Sequence, residues 1–315
     1  MSTGSQLNDK QYEAMKYVQG PLLVLAGAGS GKTSVITQKI AYLVKQCGIP
    51  AYRITAMTFT NKAAREMKER VGKLLSREEA KGLSVSTFHT FGLNLLRLEL
   101  KHLPLKNNFS ILDADDCKRI LMDLMQRDNL SGAESKELIA KAMKKISDWK
   151  NDLIIPEQAH SVCETVEDVQ LAHLYQLYER NLRAYNAVDF DDLIVLPTRL
   201  LQENAEVREK WQNRVRYLLV DEYQDTNTAQ YTLVKLLVGV MGQFTAVGDD
   251  DQSIYAWRGA KPENMALLKE DFHNLKVIKL EQNYRSTSRI LKAANAVIGN
   301  NPHIFDKKLW SDKGH

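Results

Sequence analysis

Residues 22–33 read LLVLAGAGSGKT, an apolar run that passes directly into a glycine-rich loop. The run Leu22–Ala26 predicts a buried strand, and the apolar residues after Thr33 recur on one face of a helix. The loop matches the phosphate-binding pattern G-x-x-x-x-G-K-[ST], except that Ala26 stands in place of the first glycine. A strand, loop and helix in this order predict the first βα unit of a parallel sheet.

Further short apolar runs continue this alternation along the chain. They predict strands at Ile54–Phe59, Leu83–Thr87, Tyr217–Val220, Phe244–Val247 and Val277–Leu280. Helical patterns follow most of these runs, as parallel strands with crossover helices require. The predicted fold class is therefore α/β, with a doubly wound parallel sheet flanked by helices.

The middle of the chain, residues 88–201, has a different pattern. Helical stripes follow one another there, and residues 105–190 offer hardly a strand candidate. An all-helical subdomain inserted between strands of the sheet explains this pattern best. No internal repeat, proline-rich linker or low-complexity tract interrupts the organisation.

Composition excludes several classes of protein. The 315 residues suggest about two domains, and 44% hydrophobic residues exclude intrinsic disorder. The 43 basic residues exceed the 39 acidic ones by four, too few by themselves to indicate a nucleic-acid partner. Three widely spaced cysteines without a C-x-x-C pair fit a reducing cytosol. With no apolar run of about 18 residues and no signal peptide, we expect a soluble cytoplasmic chain.

The glycine-rich loop predicts a nucleotide site. Its small residues let backbone N–H groups surround phosphates, and the helix N-terminus adds the positive end of a dipole. Lys32 is then placed to bridge the β- and γ-phosphates, and the Thr33 hydroxyl to ligate Mg²⁺. The alternative, a turn that only caps a helix, is disfavoured because strand, loop and helix follow in register. The predicted nucleotide-binding residues of the loop are Ala26, Gly27, Ala28, Gly29, Ser30, Gly31, Lys32 and Thr33.

Two acids at the end of another strand complete the predicted site. The run Tyr217–Val220 leads directly into Asp221 and Glu222. Asp221 is placed to hold Mg²⁺, directly or through water, and Glu222 to activate the attacking water as general base. Acids after a strand are also common as solvated loop residues, but the phosphate-binding loop favours the catalytic interpretation.

GTPases and kinases also carry such a loop. The stretch Asn61-Lys62-Ala63-Ala64 lacks the aspartate of the guanine-reading NKxD signal. A kinase needs no base aimed at water. ATP hydrolysis is therefore the better prediction.

Eight stretches then occur in a diagnostic order: LNDKQ (7–11), AGAGSGKT (26–33), TFTNKAAREMKERV (58–71), STFHTFG (86–92), DFDDL (189–193), LLVDEYQDTN (218–227), VGDDDQSIYAWRGA (247–260) and KLEQNYRS (279–286). Together they resemble the superfamily 1 DNA helicases, in particular the bacterial Rep, UvrD and PcrA group. KNDL (150–153) and residues 216–239 are most similar to the Rep branch. The resemblance implies RecA-like motor domains and covers nearly the whole chain.

The resemblance also implies roles for single residues. Gln11 resembles the glutamine that reads adenine and selects ATP, and Tyr284 the tyrosine that packs on the adenine. Gln252 resembles the γ-phosphate sensor, and Arg285 the arginine finger that stabilises charge on the transferring phosphoryl group. The residue directly after Gly31-Lys32-Thr33 is commonly basic in this family, whereas here it is Ser34. We therefore expect a lower nucleotide affinity without loss of binding.

A single-strand groove needs cations for phosphates and aromatic faces for bases. Thr58–Asn61 resemble the family's first single-strand contact; the basic segment after them is by itself more typical of a solvated helix face. Thr87–His89 resemble a second contact, although His89 alone is more typical of a structural histidine. The predicted contacts here are Thr58, Phe59, Thr60, Asn61, Thr87, Phe88 and His89.

Two aromatic residues, Tyr255 and Trp257, follow the predicted sensor Gln252 and share one face in extended geometry. Core aromatics are the usual explanation for such a pair, but the short spacing to Gln252 favours base stacking, with Trp257 the strongest candidate. Arg258 is placed to reach a DNA phosphate or the nucleotide.

The motif DFDDL offers Phe190 as another stacking residue. Its acids Asp189, Asp191 and Asp192 are an alternative metal cluster. That interpretation is the weaker one, because no further ligands at a suitable spacing accompany them.

We expect residues 1–84 and 197–275 to form the first RecA-like ATPase domain, and 85–196 the inserted helical DNA-binding subdomain. Residues 276–315 are expected to begin a truncated second RecA-like domain, which makes the chain the N-terminal half of a longer enzyme. This piece is expected to bind nucleotide, to hydrolyse ATP very slowly and not to unwind alone.

By the resemblance, the full enzyme uses ATP and Mg²⁺ to translocate 3′→5′ on single-stranded DNA. It is implied to act at single/double-strand junctions in replication or repair, with other proteins of those processes. Two alternatives stay open: a non-catalytic ATP- and DNA-binding module, and a subunit of a helicase–nuclease.

Overall fold

A computed structural model describes residues 7–127 and 135–314. Its strands are β1 Leu22–Ala26, β2 Ile54–Thr58, β3 Ser84–Thr87, β4 Ser110–Ile111, β5 Ala187–Val188, β6 Tyr217–Val220, β7 Phe244–Gly248 and β8 Lys276–Leu280. Its α-helices are α1 Asp9–Lys16, α2 Lys32–Lys45, α3 Asn61–Gly72, α4 Phe88–Leu98, α5 Ala114–Arg127, α6 Ser135–Asn151, α7 Pro156–Ala159, α8 Val166–Ala184, α9 Asp192–Glu203, α10 Ala205–Arg214, α11 Thr228–Val238, α12 Asn264–Asp271 and α13 Ser288–Ile298.

Six strands form one parallel sheet in the order β3-β2-β6-β7-β1-β8. In the register, Val24 of β1 lies opposite Val247 of β7 on one side and Ile278 of β8 on the other. Strands β1, β2, β6 and β7 are buried along their whole length. Parallel sheets covered on both faces carry such continuous apolar runs, which is why the strands could be found in the sequence. The predicted α/β fold class is confirmed.

Because all six strands run in one direction, their carboxyl ends lie at the same edge of the sheet. The glycine-rich loop follows β1, Asp221 follows β6 and Asp249 follows β7. Thr58 ends β2 and Thr87 ends β3. This edge therefore collects most of the motifs found in the sequence.

Contacts divide the chain into two compact units, which we call the sheet unit and the helical unit. The sheet unit comprises Met1–Phe88, Glu209–Thr226 and Leu237–His315, and the helical unit His89–Arg208 and Asn227–Leu236. Each has its own core of fully buried side chains, around Val24 and Ile40 in the first and Leu121 and Leu174 in the second. Each such side chain stabilises its unit by roughly 1.5–3 kcal/mol.

Strand β8 differs from the expectation that a separate domain begins at residue 276. It pairs with β1 along its whole length, and Ile278 and Leu280 pack into the core of the sheet unit. The strand therefore belongs to the same sheet as the glycine-rich loop. Apolar pattern identified the strand, but pattern alone does not determine its pairing partner.

The helical unit also differs from its expected limits of 85–196. It extends to Arg208 and takes in residues 227–236. Helix α9 runs across the expected limit at 196 without a break, and its Leu193 packs with Leu96 and Val188. A small parallel pair of strands, β4 and β5, lies inside this unit. At two residues each, these strands were too short to show a pattern in the sequence.

In the described part of the chain, no helix is both long enough and apolar enough to cross a membrane.

Candidate active site

The loop after β1 has the geometry of a phosphate cradle. Gly29 and Gly31 have φ angles of +71° and +84°, which favour glycine. A Cβ atom would lie 2.7 Å from Asn283 Nδ2 at Gly29 and 2.6 Å from Gln11 Nε2 at Gly31. Gly31 is also the N-cap of α2, so the first N–H groups of that helix are available to an anion.

Gln11 holds the loop from the side of α1. Its side chain is buried, its Nε2 donates to the Ser30 carbonyl at 2.8 Å, and its Oε1 accepts from the Asn8 N–H at 2.9 Å. Asn8 in turn caps α1, so the helix and the loop are fixed together. Both ends of the Gln11 amide have partners within the protein, and adenine reading by Gln11 stays a prediction.

Lys32 and Glu222 form an ion pair at this edge of the sheet. Lys32 Nζ donates to both carboxylate oxygens of Glu222 at 2.8 Å. The backbone of Glu222 has φ +50°, an uncommon conformation for a residue with a side chain. The structure thus brings together the two residues that the sequence predicted for phosphate binding and for the general base.

Asp221 and Asp225 add two further carboxyl groups beside this pair. Burial raises the pKa of each to about 6, and the negative charge of Glu222 adds to the effect. Asp221 accepts from the Glu222 N–H at 2.9 Å. Asp225 Oδ1 is buried without a hydrogen-bond partner among the described residues. Buried carboxylate oxygens that lack a partner are suited to a hard divalent cation.

Gln224 was not predicted from the sequence, yet it links two motifs. It is 1% exposed, donates from Nε2 to Glu222 Oε2 at 2.8 Å, and accepts from the Asp249 N–H at 3.0 Å. A Cβ atom at Gly248 would lie 2.7 Å from Gln224 Oε1, so this close approach requires glycine. The sequence signal that could have indicated Gln224 is its position two residues after the predicted base, Glu222.

A cavity of about 330 Å³ lies at the phosphate-binding loop. Its lining residues are Gly29, Ser30, Gly31, Lys32, Thr33, Ser34, Arg70, Tyr284 and Arg285. Arg70 reaches the cavity from α3 and was predicted only as part of a basic segment. The charged residues on either side of Arg70 in the sequence are typical of a solvated helix face, so its place in the cavity could not be predicted.

Asn283 explains how Arg285 and Tyr284 come to line that cavity. It is 3% exposed, and its Nδ2 donates to the carbonyl of Ala28 in the loop. Its Oδ1 accepts from the N–H groups of Arg285 and Ser286 at 2.8 and 2.7 Å. Asn283 is a positioning residue that the sequence did not reveal, since its loop partner Ala28 lies 255 residues away.

The predicted sensor Gln252 lies in the acidic turn Asp249–Gln252 after β7, and its Nε2 donates to Asp249. Lys307 Nζ contacts the carboxylates of Asp249, Asp250 and Asp251 at 2.6, 2.8 and 2.6 Å. Although burial acts in the opposite direction, the hydrogen bond from Lys307 lowers the pKa of Asp250. Ligand atoms of Asp250, Asp251 and His303 lie within 4.8 Å of one another, but the ammonium of Lys307 already contacts both aspartates and offsets part of their negative charge.

The predicted DNA contacts of the sheet unit fall into two kinds. Thr58, Thr87 and Phe88 are 1%, 7% and 1% exposed, so their side chains are not available to a base or phosphate. Phe88 instead packs against Phe59, with ring centroids 5.3 Å apart. Thr60 caps α3 by accepting from Ala63 N–H at 3.1 Å. Of the predicted contacts in the stretches 58–61 and 87–88, only Phe59, Thr60 and Asn61 reach the surface.

Tyr255 and Trp257 lie on the surface, so the interpretation of these rings as core residues is wrong. Trp257 is 66% exposed and its ring centroid lies 6.4 Å from that of Tyr255. The guanidinium of Arg258 lies 4.4 Å from the centroid of Trp257 and 5.4 Å from that of Tyr255. Together they form an exposed aromatic and cationic surface of the kind that binds single strands.

In the helical unit, Phe190 is 55% exposed and its ring lies 5.9 Å from that of His89. Burial lowers the pKa of His89 and thus favours its neutral form. The neighbouring acids Asp189 and Asp192 are buried, and their carboxylate oxygens lie within 4.8 Å of that of Glu179. The sequence did not reveal Glu179 as a member of this cluster.

A lysine lies among these three carboxylates. Lys150 Nζ contacts Glu179, Asp189 and Asp192 at 2.5, 2.8 and 3.0 Å. The ammonium occupies the position that a metal ion would need, in agreement with the weaker standing of the metal interpretation.

Comparison with known proteins relates these features to a family. The model of the UvrD/REP helicase N-terminal domain matches residues 7–273. The chain is 58% identical to the ATP-dependent DNA helicase Rep of Escherichia coli over 310 residues, which are 98% of this chain and 46% of that protein. The same values hold for Rep of Salmonella typhimurium.

A more distant relative is the ATP-dependent DNA helicase PcrA of Staphylococcus aureus, 44% identical over 308 residues, which are 98% of this chain and 42% of that protein. The chain thus spans about half the length of the curated relatives it matches. The family model covers most of the chain and agrees with the parallel sheet and its loop. The chain therefore belongs to the UvrD/REP helicase N-terminal domain family.

Proposed function

We propose that the protein acts as an ATP-dependent DNA helicase, in which ATP hydrolysis drives 3′→5′ movement on single-stranded DNA and separates the duplex ahead. The observation that carries this proposal is the Lys32–Glu222 ion pair, which lies beside the loop cavity at the carboxyl edge of the sheet. The relatives named ATP-dependent DNA helicase support it. The sheet unit is proposed as the first motor domain and the helical unit as its DNA-binding insertion.

The ion pair supplies a mechanism for hydrolysis. Phosphate oxygens in the loop compete with Glu222 for Lys32, and the released carboxylate then takes a proton from the attacking water. The water oxygen forms a bond to the γ-phosphorus as the bond to the β–γ bridging oxygen breaks, which yields ADP and phosphate. Lys32 and Arg285 stabilise the charge that develops on the phosphoryl oxygens.

A magnesium ion fits the same residues. Thr33 and Asp221 would hold it, and the unpartnered Oδ1 of Asp225 lies in the same acidic group. When bound, such an ion neutralises phosphate charge. Gln252 is proposed as the γ-phosphate sensor, Gln11 and Tyr284 as the adenine contacts, and Ser34 as a cause of looser affinity.

Single-stranded DNA is the proposed track. Phe59, Tyr255, Trp257 and Phe190 would stack on bases. Thr60, Asn61 and Arg258 follow such rings in the sequence, and His89 lies beside the ring of Phe190; these four are proposed to contact the backbone. Single/double-strand junctions are the proposed substrates, and replication or repair the proposed process.

DNA-stimulated ATPase activity of the full-length enzyme tests this function, because the 315-residue piece is expected to hydrolyse ATP only very slowly. We expect single-stranded DNA to raise the steady-state rate of ATP hydrolysis about tenfold or more above the rate with duplex DNA, and Trp257→Ala to reduce that stimulation by weakening a stack of about 1–3 kcal/mol. Lys269→Ala, on α12, serves as the surface control. Equal rates with and without single-stranded DNA would contradict the proposal.

A further inference from the structure

Phe190 is presented on a turn whose backbone is fixed on both sides. The Asp192 N–H donates to Asp189 Oδ1 at 2.9 Å, and the Asp189 N–H donates to Asp192 Oδ2 at 3.1 Å. Lys150, 1% exposed, binds both carboxylates, and Tyr178 donates to Asp189 at 2.9 Å. The ring of Phe190 is nevertheless 55% exposed, on a turn whose flanking residues Asp189 and Asp192 are hydrogen-bonded to each other.

The residue after Lys150 connects this turn to a second motif. Asn151 Nδ2 donates to Asp191 Oδ1 at 3.2 Å, and Asn151 Oδ1 accepts from Asn227 Nδ2 at 3.0 Å. Thr228 donates to Asp152 at 2.9 Å in the same region. The tripeptide Lys150–Asp152 therefore contacts the phenylalanine turn with two residues and the start of α11 with two.

Asn227 is itself held rigidly. It is 8% exposed, it accepts from the Gln230 N–H at 2.9 Å, and its own N–H donates to Gln230 Oε1 at 3.0 Å. In the sequence it follows directly after Asp221–Thr226, the segment that carries the proposed metal ligand and base.

We propose that Asn151 is a positioning residue that ties the Phe190 turn to Asn227, so that the grip of Phe190 on a DNA base depends on this amide. The inference rests on the proposed function of Phe190 in binding single strands. The Asn151 amide supplies a donor to Asp191 and an acceptor to Asn227 at the same time. Phe190, Asp189 and Asp191 also line a cavity of about 350 Å³, which leaves the ring room to move inward once the tie is lost.

The test is a double-mutant cycle on single-strand affinity, measured by fluorescence anisotropy of a labelled oligothymidine with the full 315-residue chain. We expect Phe190→Ala to weaken binding about five- to a hundredfold and Asn151→Ala about three- to tenfold. The double variant should bind within about twofold of Phe190→Ala alone, since Asn151 acts through the ring. Additive losses, or unchanged affinity in Asn151→Ala with an effect of Phe190→Ala, would overturn the proposal.

A second measurement separates this inference from the DNA-binding role of Phe190. In protein labelled with fluorophenylalanine, the ¹⁹F resonance absent from Phe190→Ala reports the position of that ring. We expect this resonance to shift or sharpen in Asn151→Ala and in Asn151→Asp, which places a carboxylate against Asp191. The control Asn181→Ala removes an asparagine whose side chain, within the described part of the chain, bonds to its own helix at Leu177, and it should leave the resonance unchanged.

The two failures are then distinct. An unchanged DNA affinity in Phe190→Ala contradicts the proposed function of Phe190. An unchanged ¹⁹F resonance in both Asn151 variants contradicts the positioning role.

Discussion

The carboxylate of Glu222 is both the ion-pair partner of Lys32 and the proposed general base. Its side chain accepts hydrogen bonds from Lys32 and Gln224, and its backbone adopts φ +50°. A base needs a free lone pair aimed at water, whereas both oxygens are engaged in these bonds. In the proposed mechanism, phosphate oxygens that bind Lys32 release the Glu222 carboxylate to act as the base.

Glu222→Gln is expected to separate binding from hydrolysis. The amide cannot accept a proton at neutral pH, so single-turnover hydrolysis should fall about 10²- to 10⁴-fold. Nucleotide affinity should be kept, because the neutral amide competes less with phosphates for Lys32. Calorimetry and phosphate release measure the two quantities, with the surface variant Glu69→Gln as control. Hydrolysis at the normal rate would exclude Glu222 as the base.

Lys39 is a fully buried lysine on α2 that links this helix to α1, next to the phosphate-binding loop. Its Nζ donates to the carbonyl of Ala14 at 2.9 Å and to that of Tyr17, at the end of the helix that carries Gln11. Burial lowers the pKa of Lys39 to about 7, with Cys47 acting in the opposite direction, and the Tyr217 ring lies 5.6 Å away. In the unfolded chain the pKa returns to its ordinary value near 10.5.

This difference gives a signed pH dependence. Between about pH 7 and 10.5 the unfolded chain binds more protons at Lys39 than the folded chain, so stability rises with pH in that window. From pH 7 to 9 the free energy of unfolding of the wild type should gain about 1–3 kcal/mol relative to Lys39→Met, which cannot titrate. Urea unfolding at several pH values measures the gain, with Lys45→Met on the same helix as control. Parallel pH profiles for wild type and Lys39→Met would contradict the assignment.

The acidic turn after β7 is an element that depends on a distant segment. Lys307 contacts three successive aspartates, and the N–H groups of Ile304 and Phe305 donate to Asp250 at 3.0 and 3.2 Å. Adjacent carboxylates repel one another, so the turn keeps its form only with this cation present. The segment 303–307 thus supports the turn that carries Gln252.

Lys307→Met should destabilise the protein by about 3–5 kcal/mol, because it leaves three carboxylates at a buried position without their cation. The proposed response of Gln252 to the γ-phosphate should also weaken in Lys307→Met, because the turn that carries Gln252 loses this support. The neighbouring exposed residue provides the matched variant Lys308→Met, expected within about 0.5 kcal/mol of the wild type. Urea denaturation decides the matter: equal losses in the two variants would show that the ion cluster does not stabilise the turn.

Elements and pairings differed in how well they could be predicted. The bounds of β1 and β6 agree with the predicted runs, because a strand buried on both faces is apolar throughout. The partner of β8 and the burial of Phe88 could not be predicted, since pairing and depth are set by segments far away in the chain. The ion clusters of Lys150 and Lys307 were missed for the same reason: each lysine looks like an ordinary surface charge in the sequence.

Over the whole molecule, the candidate nucleotide site is assembled from separated segments that meet at one edge of the sheet. Sequence motifs predicted the loop, the acids after β6 and the Arg285 segment, because few residue types can bind phosphates at these positions. The residues that hold these segments together, Gln224 and Asn283, carry no such signature. Their role follows only from buried amides with partners in two motifs at once.

The central claim is that the loop after β1 binds Mg²⁺–ATP through Lys32. Calorimetric titration of a non-hydrolysable ATP analogue with Mg²⁺ into wild type, Lys32→Ala and the control Lys45→Ala tests it most directly. We predict binding by the wild type and the control, and an affinity lower by about tenfold or more in Lys32→Ala, since a hydrogen bond to a charged group contributes about 1.5–3 kcal/mol. Equal affinities in wild type and Lys32→Ala, or no binding by the wild type, would contradict the account.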